Sequence, residues 1–312
     1  MKRYQAYTFL TLGTTAIILT VACVDFASSE LVELSYTYNV DAPTSPKLNP
    51  FNFSVLQKGF NDKGIWVELN EFCSSEHSGT HVDAPVHFSR GSWTIDEIPL
   101  DRLWNVPGVV IDVTQAIERS SERNYHIQVK DLEKWEEEHH GYIPDGAVVL
   151  IHTGWGKMVK DLQEYSGLDE ERSNNFPGLS EEAAIWLATY GQRNGYSKGV
   201  VGVGVDTISV DVGNSTLYPV HRALYSHNIY GIENMANLDK LLGRKFELTI
   251  LPMRIGGGSG APARIIASVR EKQLGHVFVR SASTALPRNF FFLLATTVIL
   301  REFLKVLTPT LY

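Results

Sequence analysis

Gly199-Val200-Val201-Gly202-Val203-Gly204-Val205 offers no polar side chain to water on either face of an extended backbone. A strand with one wet face alternates apolar and polar residues. This run does not, so it reads as a strand covered on both sides, as in an α/β sheet. Residues 109–113 and 147–151, also rich in Val and Ile and bounded by Gly, Pro or Asp, read the same way. Between these runs, residues 130–140 form a charged helical stretch. A second helix is predicted over residues 180–191, opening on Ser180 with Glu182 close behind and running through Ala184, Trp186 and Leu187. Later, residues 245–255 and 263–269 read as two further strands separated by the turn Gly256-Gly257-Gly258-Ser259-Gly260. No Lys-Ser or Lys-Thr follows that glycine run and no helix opens there, so it reads as a plain loop rather than a phosphate cradle. No internal repeat is found. The expected fold is one mixed α/β domain over residues 30–270.

The chain has 312 residues and a formal charge of −7, with Lys and Arg scattered. It lacks the basic stripe that a phosphate backbone would track, which excludes nucleic acid as a partner. Lys2 and Arg3 precede an uncharged stretch over residues 4–24, and the small residues Ala22, Ala27, Ser28 and Ser29 follow. Residues 1–29 are therefore expected to be a secretory leader, the alternative being an uncleaved membrane anchor. Of the two cysteines, Cys23 lies in that leader, leaving Cys73 without an internal disulfide partner. The acceptor triplets Asn52-Phe53-Ser54 and Asn214-Ser215-Thr216 fit a secreted glycoprotein. Residues 271–312 form a C-terminal extension with an apolar stretch over 290–300, preceded by Ser281, Ala282 and Ser283 and interrupted afterwards by Arg301, Glu302 and Lys305. It reads either as a membrane tether or as an amphipathic helix packing on the domain or on a second subunit. A homodimer is expected.

The segment with most chemistry is His77-Ser78-Gly79-Thr80-His81-Val82-Asp83-Ala84-Pro85-Val86-His87. Gly79 and Pro85 exclude a helical zinc motif, and an extended chain is expected instead. Positions 77, 81, 83 and 87 are all odd, so in a strand their side chains share a face. Ten extended steps would span roughly 33 Å, too far for one metal site, so the chain must bend, and Gly79 and Pro85 are where it can. Imidazole and carboxylate together suit zinc or manganese, and one carboxylate can bridge two cations. His221 and Glu233 are candidate further ligands, each at the boundary of an apolar stretch, with Glu233 delivered at the carboxyl end of a short strand over residues 228–232.

The complete pattern His-x-Gly-Thr-His-x-Asp-x-Pro-x-His from His77 to His87 resembles the cyclase-like metal hydrolases, the group of bacterial kynurenine formamidase and isatin hydrolase. The similarity extends to Thr153-Gly154-Trp155, Phe176-Pro177-Gly178-Leu179-Ser180, Gly204-Val205-Asp206-Thr207 with Ser209 and Asp211, and Glu233-Asn234. The resemblance implies a single mixed-sheet α/β domain of the swivelling β/β/α type and a cofactor of one or two Zn²⁺, or Mn²⁺. It further implies His77, His81 and Asp83 on a first metal, with Asp83 bridging to a second held by His221, Glu233 bridging both, and His87 carrying protons.

The expected activity is hydrolysis of an amide or lactam bond on a small aromatic amide substrate, N-formylkynurenine first, with an isatin-type lactam as the alternative. A non-catalytic extracellular binding module on the same fold is the reading from another class, against which the intact ligand set argues. One departure concerns the pocket. Formamidases of this type carry Trp-Pro in an early loop, where this chain has Ser45-Pro46. The aromatic wall is expected from Phe51, Phe53, Phe60 or Trp66 instead.

Overall fold

The computed structural model describes residues 30–139, 141–171 and 173–270, together with the backbone of two short strands, β1 (Gln5–Phe9) and β2 (Thr20–Val24), which pair antiparallel. The rest of the expected leader and the whole apolar C-terminal stretch lie outside the described residues. Among those described, no helix is long and apolar enough to cross a membrane. Ser28–Glu271 form one compact unit, to which the following elements belong.

Its strands are β3 (Glu30–Glu33), β4 (Asn52–Phe60), β5 (Trp66–Cys73), β6 (His81–Asp83), β7 (Val106–Asp112), β8 (His126–Ile127), β9 (Ala147–His152), β10 (Gly178–Leu179), β11 (Val200–Val205), β12 (Tyr230–Glu233), β13 (Phe246–Pro252) and β14 (Gly260–Val269). Its helices are α1 (Thr114–Ser120), α2 (Val129–His139), α3 (Leu162–Ser166), α4 (Glu181–Ala188), α5 (Tyr190–Asn194) and α6 (Pro219–Tyr225). β7, β9, β11 and β12 are parallel neighbours in that order. β6, β14 and β13 continue the sheet antiparallel, and β13 pairs back onto β7, which closes a mixed, barrel-like ring of seven strands. β3 adds to the distal part of β14, whereas β4 and β5 pair only with each other. The fold is thus the mixed α/β domain expected from the apolar runs.

Each central strand divides its side chains between two cores. Val148, Leu150, Val201 and Val110 join one cluster with Val82, Ile232, Leu248 and Ile265. Val149, Ile151, Val203, Val205 and Ile111 join another, with Leu132 of α2, Leu187 of α4 and Leu224 of α6. Strand alternation explains the division, with the register shift between Val200 and Gly202 of β11 resetting its phase so that Val201 joins the first set: one set faces the inside of the ring and the other faces the helices. Burying each such Val, Leu or Ile contributes about 1.5–3 kcal/mol, which is why these strands tolerate no polar position on either side.

The helix predicted over residues 180–191 is two helices. Ser180 caps α4 by accepting from the Ala183 amide at 3.1 Å, and Ala183 stands where a full capping box would need Glu or Gln. Thr189 then interrupts it, its hydroxyl donating back to the Ile185 carbonyl at 2.8 Å, and α5 starts afresh. The last two predicted strands form the β13–β14 hairpin, with β14 beginning already at Gly260.

Candidate metal centre

Val82 of β6 and Ile232 of β12 point into the ring core, so their neighbours His81, Asp83 and Glu233 must point to the opposite face, toward α6. The rest of the motif reaches this face by bending. Gly79 has a left-handed φ of +66°, and a Cβ there would sit 2.8 Å from the Tyr38 ring. Beyond Asp83 the chain enters a 3₁₀ turn, Pro85–His87, with proline in its first position. Period-two alternation therefore holds only for His81 and Asp83, while His77 and His87 arrive on the two bends. α6 supplies His221 from above, and its Tyr225 hydroxyl donates to Asp83 Oδ2 at 2.7 Å.

Three imidazoles are held by the same device. His81 Nδ1 lies 2.9 Å from the Gly79 carbonyl, which can only accept, so that nitrogen carries the proton. His221 Nδ1 lies 2.6 Å from Asp211 Oδ2 and is likewise the donor. His77 Nε2 lies 2.9 Å from Ser259 Oγ, and the Ser259 hydroxyl donates to Glu76 Oε2 at 2.7 Å, so the histidine donates there too. Every remaining nitrogen then turns a lone pair inward. His77 Nδ1 is 2.6 Å from Asp83 Oδ1, and His81 Nε2 is 3.1 Å from Asp83 Oδ1 and 3.4 Å from Glu233 Oε2. His221 Nε2 is 3.4 Å from Asp83 Oδ2 and 3.3 Å from Glu233 Oε1.

Lone pairs facing carboxylates repel unless positive charge lies between them. His81 Nε2 is fully buried with no hydrogen-bond partner, which fits a cation-binding donor set. Two groups have their ligand atoms within 4.8 Å of one another, His77 with Asp83 and His87, and His81 with Asp83 and Glu233. Asp83 belongs to both. Imidazole nitrogens with carboxylate oxygens suit zinc or manganese. In the metal-free protein a proton takes the same role: burial pushes the His81 imidazole down, but Asp83 and Glu233 outweigh it and hold the group up at about 10. The histidines in turn hold the Asp83 carboxyl well below the usual carboxylate range, against burial that would raise it. His87 stacks on His77 with ring centroids 4.0 Å apart. Burial, helped by the neighbouring imidazoles, keeps it neutral down to about pH 4.

The structure brings His77, His81, Asp83, His87, His221 and Glu233 together. It does not bring the four expected aromatic residues to them. Phe51 packs on Tyr38 at 4.7 Å, and Phe53, Phe60 and Trp66 lie on the β4–β5 hairpin, more than half exposed. Phe60 and Trp66 close the far end of that hairpin, about eight strand residues and thus roughly 25 Å from its base. Among the described residues, no ring contact joins any of the four to the histidines. The rings that do stand beside the centre are Phe88, 4.6 Å from the His221 ring, and Tyr218, 5.0 Å from Phe88. Tyr218 has φ +49°, a conformation costly for a bulky side chain, and it immediately precedes α6. The glycine run is also more than a plain loop, because Ser259 orients His77, and a Cβ on Gly260 would lie 2.6 Å from the His77 ring. Phe88 and Tyr225 gave one readable signal, sequence proximity to His87 and His221. Glu76 gave the same signal beside His77, but its partner Ser259, 183 residues away, gave none.

The cyclase family model matches residues 32–212. Isatin hydrolase of Roseibium aggregatum is 31% identical over 236 residues, covering 73% of this chain and 83% of that protein. Kynurenine formamidase of Bacillus mycoides is 24% identical over 241 residues, covering 77% and 97%. The solved structure of isatin hydrolase A from Ralstonia solanacearum superposes with a TM-score of 0.67 at 31% identity, covering 78% of this chain and 92% of that one. With the signature complete, its histidines and carboxylates converging and the fold shared, the chain belongs to the cyclase family.

Proposed function

We propose that this chain hydrolyses an amide or lactam bond on an aromatic substrate, using a divalent cation, Zn²⁺ or Mn²⁺, held by His77, His81, Asp83, His221 and Glu233. The observation that carries the reading is the set of three inward-facing imidazole nitrogens set against two buried carboxylates. When bound, such a cation supplies a water deprotonated near neutral pH and stabilises negative charge on the carbonyl oxygen. The remaining work falls to side chains. The His87 imidazole, neutral at pH 7, accepts the proton that this water gives up. It returns that proton to the leaving nitrogen as the carbon–nitrogen bond breaks, giving an amine and a carboxylic acid, which releases its remaining proton to solvent as the carboxylate. Phe88 and Tyr218 offer an aryl ring a flat apolar wall beside the reacting bond.

Between the two substrates expected from sequence, we place an isatin-type lactam ahead of N-formylkynurenine. The relative named for isatin hydrolysis is 31% identical and the one named for the formamide 24%, and Ser45-Pro46 stands where formamidases carry Trp-Pro. The test is metal analysis of the purified protein, then kcat/KM for isatin, N-formylkynurenine and a simple aryl formamide with Zn²⁺ or Mn²⁺ added. Isatin is expected to rank first. A higher kcat/KM for N-formylkynurenine would reverse the substrate order. A metal-loaded protein that turns over none of the three would overturn the reading, and failure to hold any divalent cation would favour a binding module.

A further inference from the structure

Asn234 follows Glu233 directly, is buried, and has a left-handed φ of +55°, which a short amide side chain tolerates. Its neighbours fix which way that amide points. Nδ2 donates at 3.0 Å to the carbonyl of Gly79, which can only accept, so Oδ1 is the atom that faces the Tyr165 hydroxyl at 3.0 Å and accepts from it. The backbone of Asn234 is held as well, its N–H donating to the Thr207 carbonyl at 2.9 Å and its carbonyl accepting from Thr80 Oγ1 at 2.6 Å. Tyr165 belongs to α3, in the excursion between β9 and β10, and is buried with Trp155, Phe176 and Ile208. Its hydroxyl also lies 3.0 Å from the Asp206 carbonyl, so one proton serves both acceptors.

We propose that Tyr165 and Asn234 are positioning residues for the cation site: Tyr165 holds the Asn234 amide, Asn234 holds the Gly79 carbonyl, and that carbonyl keeps the His81 proton on Nδ1. The role presupposes the divalent cation proposed above. Gly79 has no side chain with which to fix its own carbonyl, and the Asn234 amide does so from across the chain. If the carbonyl turns away, the acceptor 2.9 Å from His81 Nδ1 is lost and the proton can move to Nε2. An N–H there would face Asp83 at 3.1 Å and Glu233 at 3.4 Å, in the place of the lone pair a cation needs. Only an amide suits position 234. A carboxylate would set oxygen against the Gly79 carbonyl, and an apolar isostere would leave that carbonyl and the Tyr165 hydroxyl each short of a partner.

The experiment measures Zn²⁺ affinity by competition with a chromophoric chelator, and the visible absorption of the Co²⁺-loaded protein, for the native full chain and its variants. Asn234→Gly, which keeps the left-handed backbone open and removes the amide, is expected to weaken Zn²⁺ binding roughly 10–100-fold. Tyr165→Phe, which removes one buried hydroxyl, is expected to weaken it roughly three- to tenfold. Because Tyr165 acts through Asn234, the double variant should bind no more weakly than Asn234→Gly alone. Both single variants should shift the Co²⁺ absorption, since a re-aimed imidazole alters the ligand field. Tyr190→Phe is the comparison, because the Tyr190 hydroxyl on α5 is also buried, accepts from the Ile143 amide at 3.0 Å and donates to Glu136. Its loss should lower the melting temperature and leave Zn²⁺ affinity unchanged. A folded Asn234→Gly or Tyr165→Phe protein with affinity within about twofold of the native value would overturn the proposal. So would additive losses in the double variant, or an equal loss in Tyr190→Phe. Should Asn234→Gly fail to fold, Tyr165→Phe alone decides. A native chain that holds no divalent cation would overturn the metal reading and this role with it, whereas a native chain that binds Zn²⁺, with variants unaffected, would sink this role alone.

Discussion

Asp211 is the most informative single position for testing how the centre is held. It is buried, its Oδ2 accepts from His221 Nδ1 at 2.6 Å and from the His221 amide at 3.1 Å, and its Oδ1 accepts from the Val220 amide at 3.1 Å. The carboxylate thus sets both the first turn of α6 and the tautomer of His221. Asp211→Asn keeps the shape and removes the means. If the new carbonyl oxygen faces His221, the amide group meets the Val220 N–H, donor against donor. If it faces Val220, the amide group donates to His221 Nδ1, which moves the imidazole proton to Nε2 and points it at Asp83 and Glu233. Either arrangement loses a hydrogen bond to a charged group, worth about 1.5–3 kcal/mol when removed, in line with a 10–100-fold loss of metal affinity. Competition with a chromophoric chelator at fixed pH reads the affinity directly, and circular dichroism checks the fold. A folded Asn variant with affinity within about twofold of the native value would refute the reasoning that Asp211 orients His221.

Replacing His81 or Asp83 by Ala should remove most bound metal and activity while leaving a folded protein, because the two cores do not pass through the centre; metal analysis and thermal melting check both halves. His87→Ala should keep metal near the native level and lower kcat roughly a hundredfold or more, whereas parallel loss of metal and rate would place His87 among the ligands, as its grouping with His77 and Asp83 allows. Phe88→Ala should raise KM for an aryl substrate more than it lowers kcat, measured by steady-state kinetics, and an unchanged KM would remove Phe88 from the pocket wall. The metal-free protein should lose stability as pH rises. His81, with its folded pKa raised to about 10, stabilises fully below its unfolded value of about 6.5, and that contribution, on the order of a few kcal/mol, is lost between the two. His87 acts in the opposite direction. Its folded pKa of about 4 costs stability as pH falls from about 6.5 toward 4, because the unfolded chain takes up the proton first. Melting curves of the metal-free and metal-loaded proteins from pH 5 to 10 should therefore diverge on the alkaline side, where bound metal replaces the His81 proton.

What the sequence disclosed and what it withheld divide along a physical line. The ring strands were readable because burial on both faces leaves no freedom in residue type, and Val200–Val205 could hardly be anything else. Glu233 was readable because a short strand must end somewhere, and its carboxyl end faces the helices. The supports of the three imidazoles were not, since each exists only after distant segments meet. The hairpin that closes the ring carries Ser259 to His77 across 182 residues, and α6 folds over Asp83 across 142 to bring Tyr225 to it. The expected aromatic residues make no contact with the histidines for the same reason. Phe53, Phe60 and Trp66 are conspicuous and close to the signature in the chain, but a hairpin moves residues away from its base by about 3.3 Å per step. Phe88 needs no such journey. It follows His87 directly, at the end of the turn that Pro85 opens, and it meets His221 and Tyr218 because α6 starts there. Chain proximity thus predicts shared space at a bend better than along a ribbon, and the rings that meet His221 stand at the bend.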